Sequence, residues 1–269
     1  MHSLLSGEPL LRLAAFAGVL IGMVVWELLA PRRQQRIERT FRWPSNIGVA
    51  VLDTLFVRLV FPIGAVAFAL VAEARGWGLF NVLSLPAWLT VAAGIILLDL
   101  AIYLQHVLFH AVPLLWRVHR MHHADLEFDV TTGVRFHPIE MLLSTGIKFA
   151  VVAALGTPAL AVLAFEILLN ATSMFNHGNV ALPTRLDRIL RWIVVTPDMH
   201  RVHHSIEVRE TNSNFGFNLP WWDHLFGTYR DQPDAGHVAM SIGIEQFREG
   251  REQRLDRMLT QPFRGGVQA

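Results

Sequence analysis

Of the thirteen histidines in 269 residues, eight fall in three short clusters: His106-x3-His110, His119-x2-His122-His123 and His200-x2-His203-His204. On a helix, positions i and i+4 share a face, and so do i, i+3 and i+4. Each cluster therefore presents two or three imidazoles toward one point. Two HxxHH copies and an HxxxH in one chain of this size lie far beyond chance. Imidazole suits zinc, copper, iron and nickel. Eight such ligands are too many for one ion and fit two, whereas a structural zinc site needs four and usually includes Cys. The chain has no Cys at all, which also removes disulfides, thiolate zinc sites, cysteine-ligated iron–sulfur clusters and Cys nucleophiles. The pattern predicts a pair of metal ions held by nitrogen in a catalytic rather than a structural arrangement.

The helix that carries the first cluster has a second regularity. Asp99, Tyr103, His106 and His110 follow one another at intervals of 4, 3 and 4, a single stripe along one face. An ionisable group about two turns deeper than His106 is a site candidate by default. Two readings of Asp99 stand: it holds a ligand imidazole from behind or lines the pocket, or it pairs with another helix.

The elements that must position these residues are membrane spans. Hydrophobic residues make up 52% of the chain and charged ones only 17%, against roughly 25% charged in a soluble domain, and the mean hydropathy is +0.37. This composition excludes disorder, and a net charge of +1 offers no footprint for nucleic acid. Residues 11–30 form a first span, with no basic region before it and too long an apolar run for a signal peptide. The loop after it carries Arg32, Arg33, Arg36, Arg39 and Arg42 against Glu38, so it is expected in the cytoplasm and the N-terminus outside. A second span is expected over residues 47–72, with Asp53 and Arg58 as a polar pair, and a third over residues 87–108. Residues 139–155 and 159–172 flank Gly156-Thr157-Pro158 and predict a hairpin that enters the membrane and returns. In such a hairpin Lys148 and Glu166 stand at similar depth, where they pair or lie near substrate. All three histidine clusters then fall on the cytoplasmic side, among arginines that suit anionic headgroups. The fold class is all-α: a multi-span helix bundle with a cytosolic helical cap. The chain divides into N-terminal spans (1–97), a catalytic unit (98–230, with the hairpin at 139–172) and a soluble tail (231–269). In that tail Ile244, Phe247, Arg251, Leu255, Met258 and Leu259 outline one amphipathic helix before Pro262.

HxxxH, HxxHH and HxxHH in this order after membrane spans resemble the fatty acid hydroxylase/sterol desaturase superfamily of integral-membrane di-metal oxygenases. The resemblance covers about residues 98–229. It includes D-x3-Y-x2-H at Asp99–His106, R-F-H-P-I-E at Arg135–Glu140, F-N-H-G-N at Phe175–Asn179, and the stretches T-P-D-M-H-R-V-H-H-S and W-D-H-L-F-G-T-Y. The last two are most similar to bacterial proteins akin to alkylglycerol monooxygenase. The resemblance implies that His106, His110, His119, His122, His123, His200, His203 and His204 are metal ligands, and that His177 is a further one. Some members carry a second histidine four residues earlier, where this chain has Ser173. Read without the family, His177 has a Gly and two Asn around it at a helix end, where capping or packing is the other reading. The resemblance also puts His137 and Glu140 near the site, although Glu140 has an ordinary explanation in the first turn of a helix opened by Pro138. His224 reads as structural, and His2 and His237 as surface residues.

The chemistry implied is O2-dependent oxidation by two iron ions of an unactivated C–H bond in a lipid or sterol-like substrate, giving hydroxylation, desaturation or C–O cleavage. No GxGxxG, Walker loop or flavin-type turn occurs, and no cytochrome b5 glycines follow His137-Pro138. Electrons are therefore expected from a separate reductase or electron-transfer protein, or from a tetrahydropterin. Trp192 and Trp221-Trp222 fit either an interfacial belt or cap packing. The expected location is the bacterial inner membrane. Two other readings are a zinc-dependent membrane hydrolase, for which neither HExxH nor HxxEH is present, and a non-catalytic family member, against which all eight core histidines stand.

Overall fold

The computed structural model describes residues 7–83 and 85–265, so His2 lies outside it. Among the described residues the chain is helical, with no strand and only two isolated bridges, Pro31 with Val180 and Ser205 with Ile242. The long helices are α1 (Glu8–Leu29), α2 (Arg39–Val60), α3 (Ala65–Ala74), α4 (Ala87–Ala111), α5 (Pro113–His123), α6 (Pro138–Leu155) and α7 (Ala159–Asn176). Three short helices matter for the site: α8 (Thr184–Leu190), α9 (Pro197–His203) and α10 (Trp221–Phe226).

Five segments are long and apolar enough to cross a membrane: α1, residues 39–82, α4, α6 and α7. The second of these is not the single helix expected over residues 47–72. It starts at Arg39 and breaks between Val60 and Ala65. Pro62 offers no N–H and pushes Phe61 off helical geometry, and Gly64 opens α3 in an extended conformation. The expected Asp53–Arg58 pair does not form either. Five residues apart on a helix is about 140° around the axis, so Asp53 is buried while Arg58 is exposed. Asp53 instead lies within charge range of Glu140 on α6.

The hairpin stands as expected. Gly156 ends α6 in the left-handed region (φ +67°), its N–H returning to the Val152 carbonyl. Pro158 precedes α7, and α7 runs on to Asn176, four residues past the expected end, which delivers His177. Lys148 Nζ meets Glu166 Oε1 at 2.6 Å, and Arg12 of α1 approaches the other Glu166 oxygen at 3.2 Å. That is the pairing outcome, and it satisfies charges that are costly alone in hydrocarbon. Gly94 lets α4 approach α7, since a Cβ there would press on Thr157 and Ala161. The core between these helices is Ala69, Leu98, Ile102, Val152, Val162 and Phe165, with Phe217 of the cap at its end.

Polar contacts fix the cap to the spans. Glu27, buried at the end of α1, accepts the N–H groups of Val130 and Asn179 at 2.7 and 2.8 Å. Arg42 of α2 forks onto Asp125 (2.9 and 2.7 Å) and reaches Asp129 at 2.8 Å. Burial alone would raise both carboxyls, but the Arg42 charge and its hydrogen bonds outweigh it and hold Asp125 below the ordinary Asp range and Asp129 well below it. The tail is not one amphipathic helix: Gly250–Gln253 and Gln261–Phe263 are 3-10 turns around a single α-turn at Leu255–Met258. Arg254 is extended and Phe247 has positive φ, which breaks the periodicity. Its apolar residues still pack on the rest of the chain: Leu255, Met258 and Leu259 lie against Val49 and Met121. His237 is buried 3.6 Å from Asp198, not on the surface as its isolation in sequence suggested.

Candidate metal centre

Nine imidazoles converge where α4, α5, α7 and α9 meet. His106 and His110 sit one turn apart at the end of α4. Val112 breaks the chain and Pro113 restarts it as α5, whose last turns carry His119, His122 and His123. His177 ends α7. Thr196 caps α9, its hydroxyl oxygen accepting the Met199 N–H, and α9 carries His200 and His203 with His204 just beyond. Every one of the nine is buried.

Their nitrogens form two groups, His106, His110, His119, His123 and His203 in one and His122, His177, His200 and His204 in the other. Within each, the facing nitrogens lie within 4.8 Å of one another. This corrects the expectation that each cluster aims at one point. In each HxxHH the residues at i and i+4 go to one group and the residue at i+3 goes to the other. His119 and His123 therefore part from His122, and His200 and His204 part from His203. Each motif ties the two groups together.

Hydrogen bonds at the far nitrogen fix the state of these rings. Nδ1 donates to a backbone carbonyl in His106 (Phe215, 2.8 Å), His122 (Arg135, 3.1 Å), His177 (Ser173, 2.7 Å) and His203 (Ser213, 2.7 Å). In His119 it donates to Glu140 Oε1 at 2.7 Å. These partners only accept, so each Nδ1 carries the proton and a neutral ring leaves Nε2 as a bare lone pair. Those lone pairs nevertheless face one another: His106 to His119 at 3.1 Å, His203 to His106 at 3.0 Å and His177 to His122 at 3.2 Å. No proton lies between them, and protonating them would set charges side by side. Burial, with the neighbouring imidazoles, lowers His122, His123, His200, His203 and His204 well below the usual histidine range, and burial takes His177 down to about 4. A cation resolves the conflict. Nitrogens bound at about 2.1 Å and at right angles to one another stand about 3.0 Å apart, which matches the spacing here. The residues present fit two transition-metal ions.

The other candidates are placed as follows. Glu140 touches His119 and so holds one ring of the five-histidine group from behind. Its position in the first turn of α6 also holds. His137 is not at the centre: it caps α6, its Nδ1 accepting the Ile139 N–H at 3.2 Å, with Nε2 3.2 Å from the Leu259 carbonyl. Asp99 touches no imidazole. Its Oδ2 accepts Trp222 Nε1 at 2.8 Å and the Leu219 N–H at 3.3 Å. The Tyr103 hydroxyl meets Thr228 Oγ1 at 2.9 Å, and its ring stacks on Phe226. Both fix the 215–229 segment to α4. Ser173, where a further histidine was weighed, donates its hydroxyl to the Gly133 carbonyl. His224 is stacked between Trp192 and Tyr229, a structural place.

Sequence reasoning missed the residues that hold the acceptors. Asp223 takes the N–H groups of Phe215 and Gly216 at 2.8 and 2.9 Å and thereby sets the carbonyl that orients His106. Asn212 Oδ1 faces His110 Nδ1 at 3.2 Å. Arg135, whose carbonyl orients His122, is held by Asn46 of α2 and Gln253 of the tail at 3.1 and 2.9 Å. The available signals were Asp223 within the W-D-H-L-F-G-T-Y stretch and Arg135 at the start of R-F-H-P-I-E.

Residues 91–228, a little over half of the chain, match the family described as fatty acid hydroxylase. The ornithine lipid hydroxylase OlsE of Rhizobium tropici is 33% identical over 158 residues, 58% of this chain and 46% of that protein. The alkylglycerol monooxygenase of Xenopus tropicalis is 26% identical over 181 residues, 64% of this chain and 38% of that protein. The cholesterol 25-hydroxylase of Rattus norvegicus is 28% identical over 162 residues, 59% and 52% respectively. The chain thus spans about half or less of the length of these relatives. No solved structure matches it.

Proposed function

The chain belongs to the fatty acid hydroxylase family, and from that membership we propose that it is an integral-membrane di-iron enzyme that oxidises a lipid with O2. The observation that carries this reading is the meeting of Nε2 atoms in two groups of five and four, with both groups containing rings whose Nδ1–H bond leaves Nε2 as a bare lone pair. His106, His110, His119, His123 and His203 would hold one iron, and His122, His177, His200 and His204 the other. Two irons so held supply, with O2 and two electrons, an oxidant strong enough to take hydrogen from an unactivated C–H bond. The chain's own part is to hold and to exclude. The Phe215, Ser213, Arg135 and Ser173 carbonyls and Glu140 keep the Nδ1 protons of His106, His203, His122, His177 and His119 in place and those five rings aimed inward. Phe217 lies against His106, His177 and His200 at ring distances of 5.1, 6.4 and 5.7 Å, so it touches both groups. With the apolar core of the spans behind it, Phe217 keeps water from the side that faces the membrane.

The Arg-rich segment after α1 and the histidine centre lie on one side of the spans: Arg33 donates to the His237 and Met240 carbonyls, and Arg32 to Asp198 two residues before His200. By the positive-inside rule that side is the cytoplasm, and in a bacterium the membrane is the inner one. Electrons come from a separate protein or a tetrahydropterin, and residues 98–230 form the catalytic unit. Comparative lipidomics of cells with and without the protein, grown under 16O2 and 18O2, tests the reaction. A lipid gaining 16 mass units, and 18 under the heavy isotope, is expected for hydroxylation, and a loss of 2 for desaturation. Indistinguishable lipids in the two strains would contradict the reading.

A further inference from the structure

The cap carries a continuous apolar surface that its own core does not use. Ile189 of α8, Trp192 and Ile193 just after it, and Trp221, Leu225 and Phe226 of α10 are all exposed, Trp192 at 63% and Leu225 at 70%. The two pieces form one surface, since Trp221 Nε1 donates to the Trp192 carbonyl at 2.8 Å and the Trp192 ring lies flat on His224 at 4.8 Å. A patch of this kind on a cap standing in water would be a liability.

We propose that this face is immersed in the hydrocarbon of the membrane leaflet next to α4. Three observations favour acyl chains over water or a protein partner. The first is depth. The α10 segment is fixed to Asp99 and Tyr103, which stand 12 and 8 residues before the cap end of α4 at Ala111. At 1.5 Å per residue that is about 18 and 12 Å inside the span, so the outward side of α10 faces lipid. The second is the state of the indoles. Trp221 is 46% exposed, yet its N–H is bonded internally, as is that of Trp222. Water would satisfy an exposed indole without help, whereas hydrocarbon cannot. The third is charge. Exposed Arg185 and Arg188 of α8 flank the patch without a carboxylate partner among the described residues, as suits phosphate headgroups at its edge. The face ends at Phe226, which stacks on Tyr103. Tyr103 meets Phe215 edge-on, and Phe215 lies against His106, His110 and His203. An acyl chain on this surface is three ring contacts from the histidines.

The chain contains no Cys, so a single introduced thiol carries the only label. Ile189→Cys and Leu225→Cys, with Arg251→Cys as the water-facing reference, are labelled with a nitroxide in vesicles of phosphatidylcholine and phosphatidylglycerol. Collision with O2 and with a water-soluble nickel chelate is then measured. At 189 and 225, O2 is expected to exceed the chelate several-fold, with the order reversed at 251. Chelate access at 189 and 225 equal to that at 251 would overturn the proposal. So would protection from both reagents, the result expected if a second copy of the chain covers the face. Neither readout depends on the metal or on oxidation.

Discussion

His122 and His203 are the most informative single residues, because each is the i+3 member of its HxxHH and each belongs to a different group. Replacing either by Ala removes one Nε2 from one group and leaves the other intact. Loss of an outer partner typically costs 10–100-fold, so loss of a ligand should cost more than about 100-fold in lipid oxidation. Recovery in the membrane fraction should be unchanged, since neither side chain holds a span. Full activity in either variant would sink the ligand assignment. The eight clustered histidines were legible from helical spacing, and His177 from a resemblance alone. The sorting into five and four was not legible: it depends on how α5 and α9 are rotated against each other. Asp223, Asn212 and Arg135 were hidden for the same reason, since folding brings each to its histidine: Asp223 and Arg135 act through backbone groups and Asn212 through its side-chain oxygen.

At the level of elements, the junction of α2 with the segment after α5 governs stability. Arg42, Asp125 and Asp129 are fully buried together. Removing one partner from such a set leaves uncompensated charge, and Arg42→Gln should cost roughly 3–5 kcal/mol. The acid response has a definite sign. Both carboxyls lie below their unfolded value in the folded protein. Their contribution is therefore fully present above about pH 4, the ordinary Asp value, and is lost as pH falls below it toward the depressed native values. Thermal unfolding in detergent across pH 3–7 would show it, and a midpoint that rises on acidification below pH 4 would contradict it. The spans were legible from apolar length, and the hairpin from Gly156 and Pro158. The break after Val60 was written in Pro62 but masked by the apolar run around it. The tail was misread because its apolar residues keep helical spacing while Phe247, Gly250 and Arg254 leave helical geometry.

For the whole molecule, the greasy half of the composition builds a scaffold and the histidines gather at one end of it. Three membrane segments contribute directly: α4 brings His106 and His110, α6 brings Glu140, and α7 brings His177. The N-terminal spans hold the cap through Glu27, Arg42 and Asn46. The residue types pointed to metal chemistry in a membrane, and the relatives that the chain resembles include lipid and sterol hydroxylases. The carbon attacked depends on a substrate pose that no residue pattern encodes. The central claim is that nine imidazoles make two iron sites. Anaerobic titration of the metal-free, detergent-purified protein with ferrous iron tests it most directly. Saturation at two irons per chain is expected, falling in both His122→Ala and His203→Ala. Saturation at one, or no binding above that of a protein lacking all nine histidines, would contradict it.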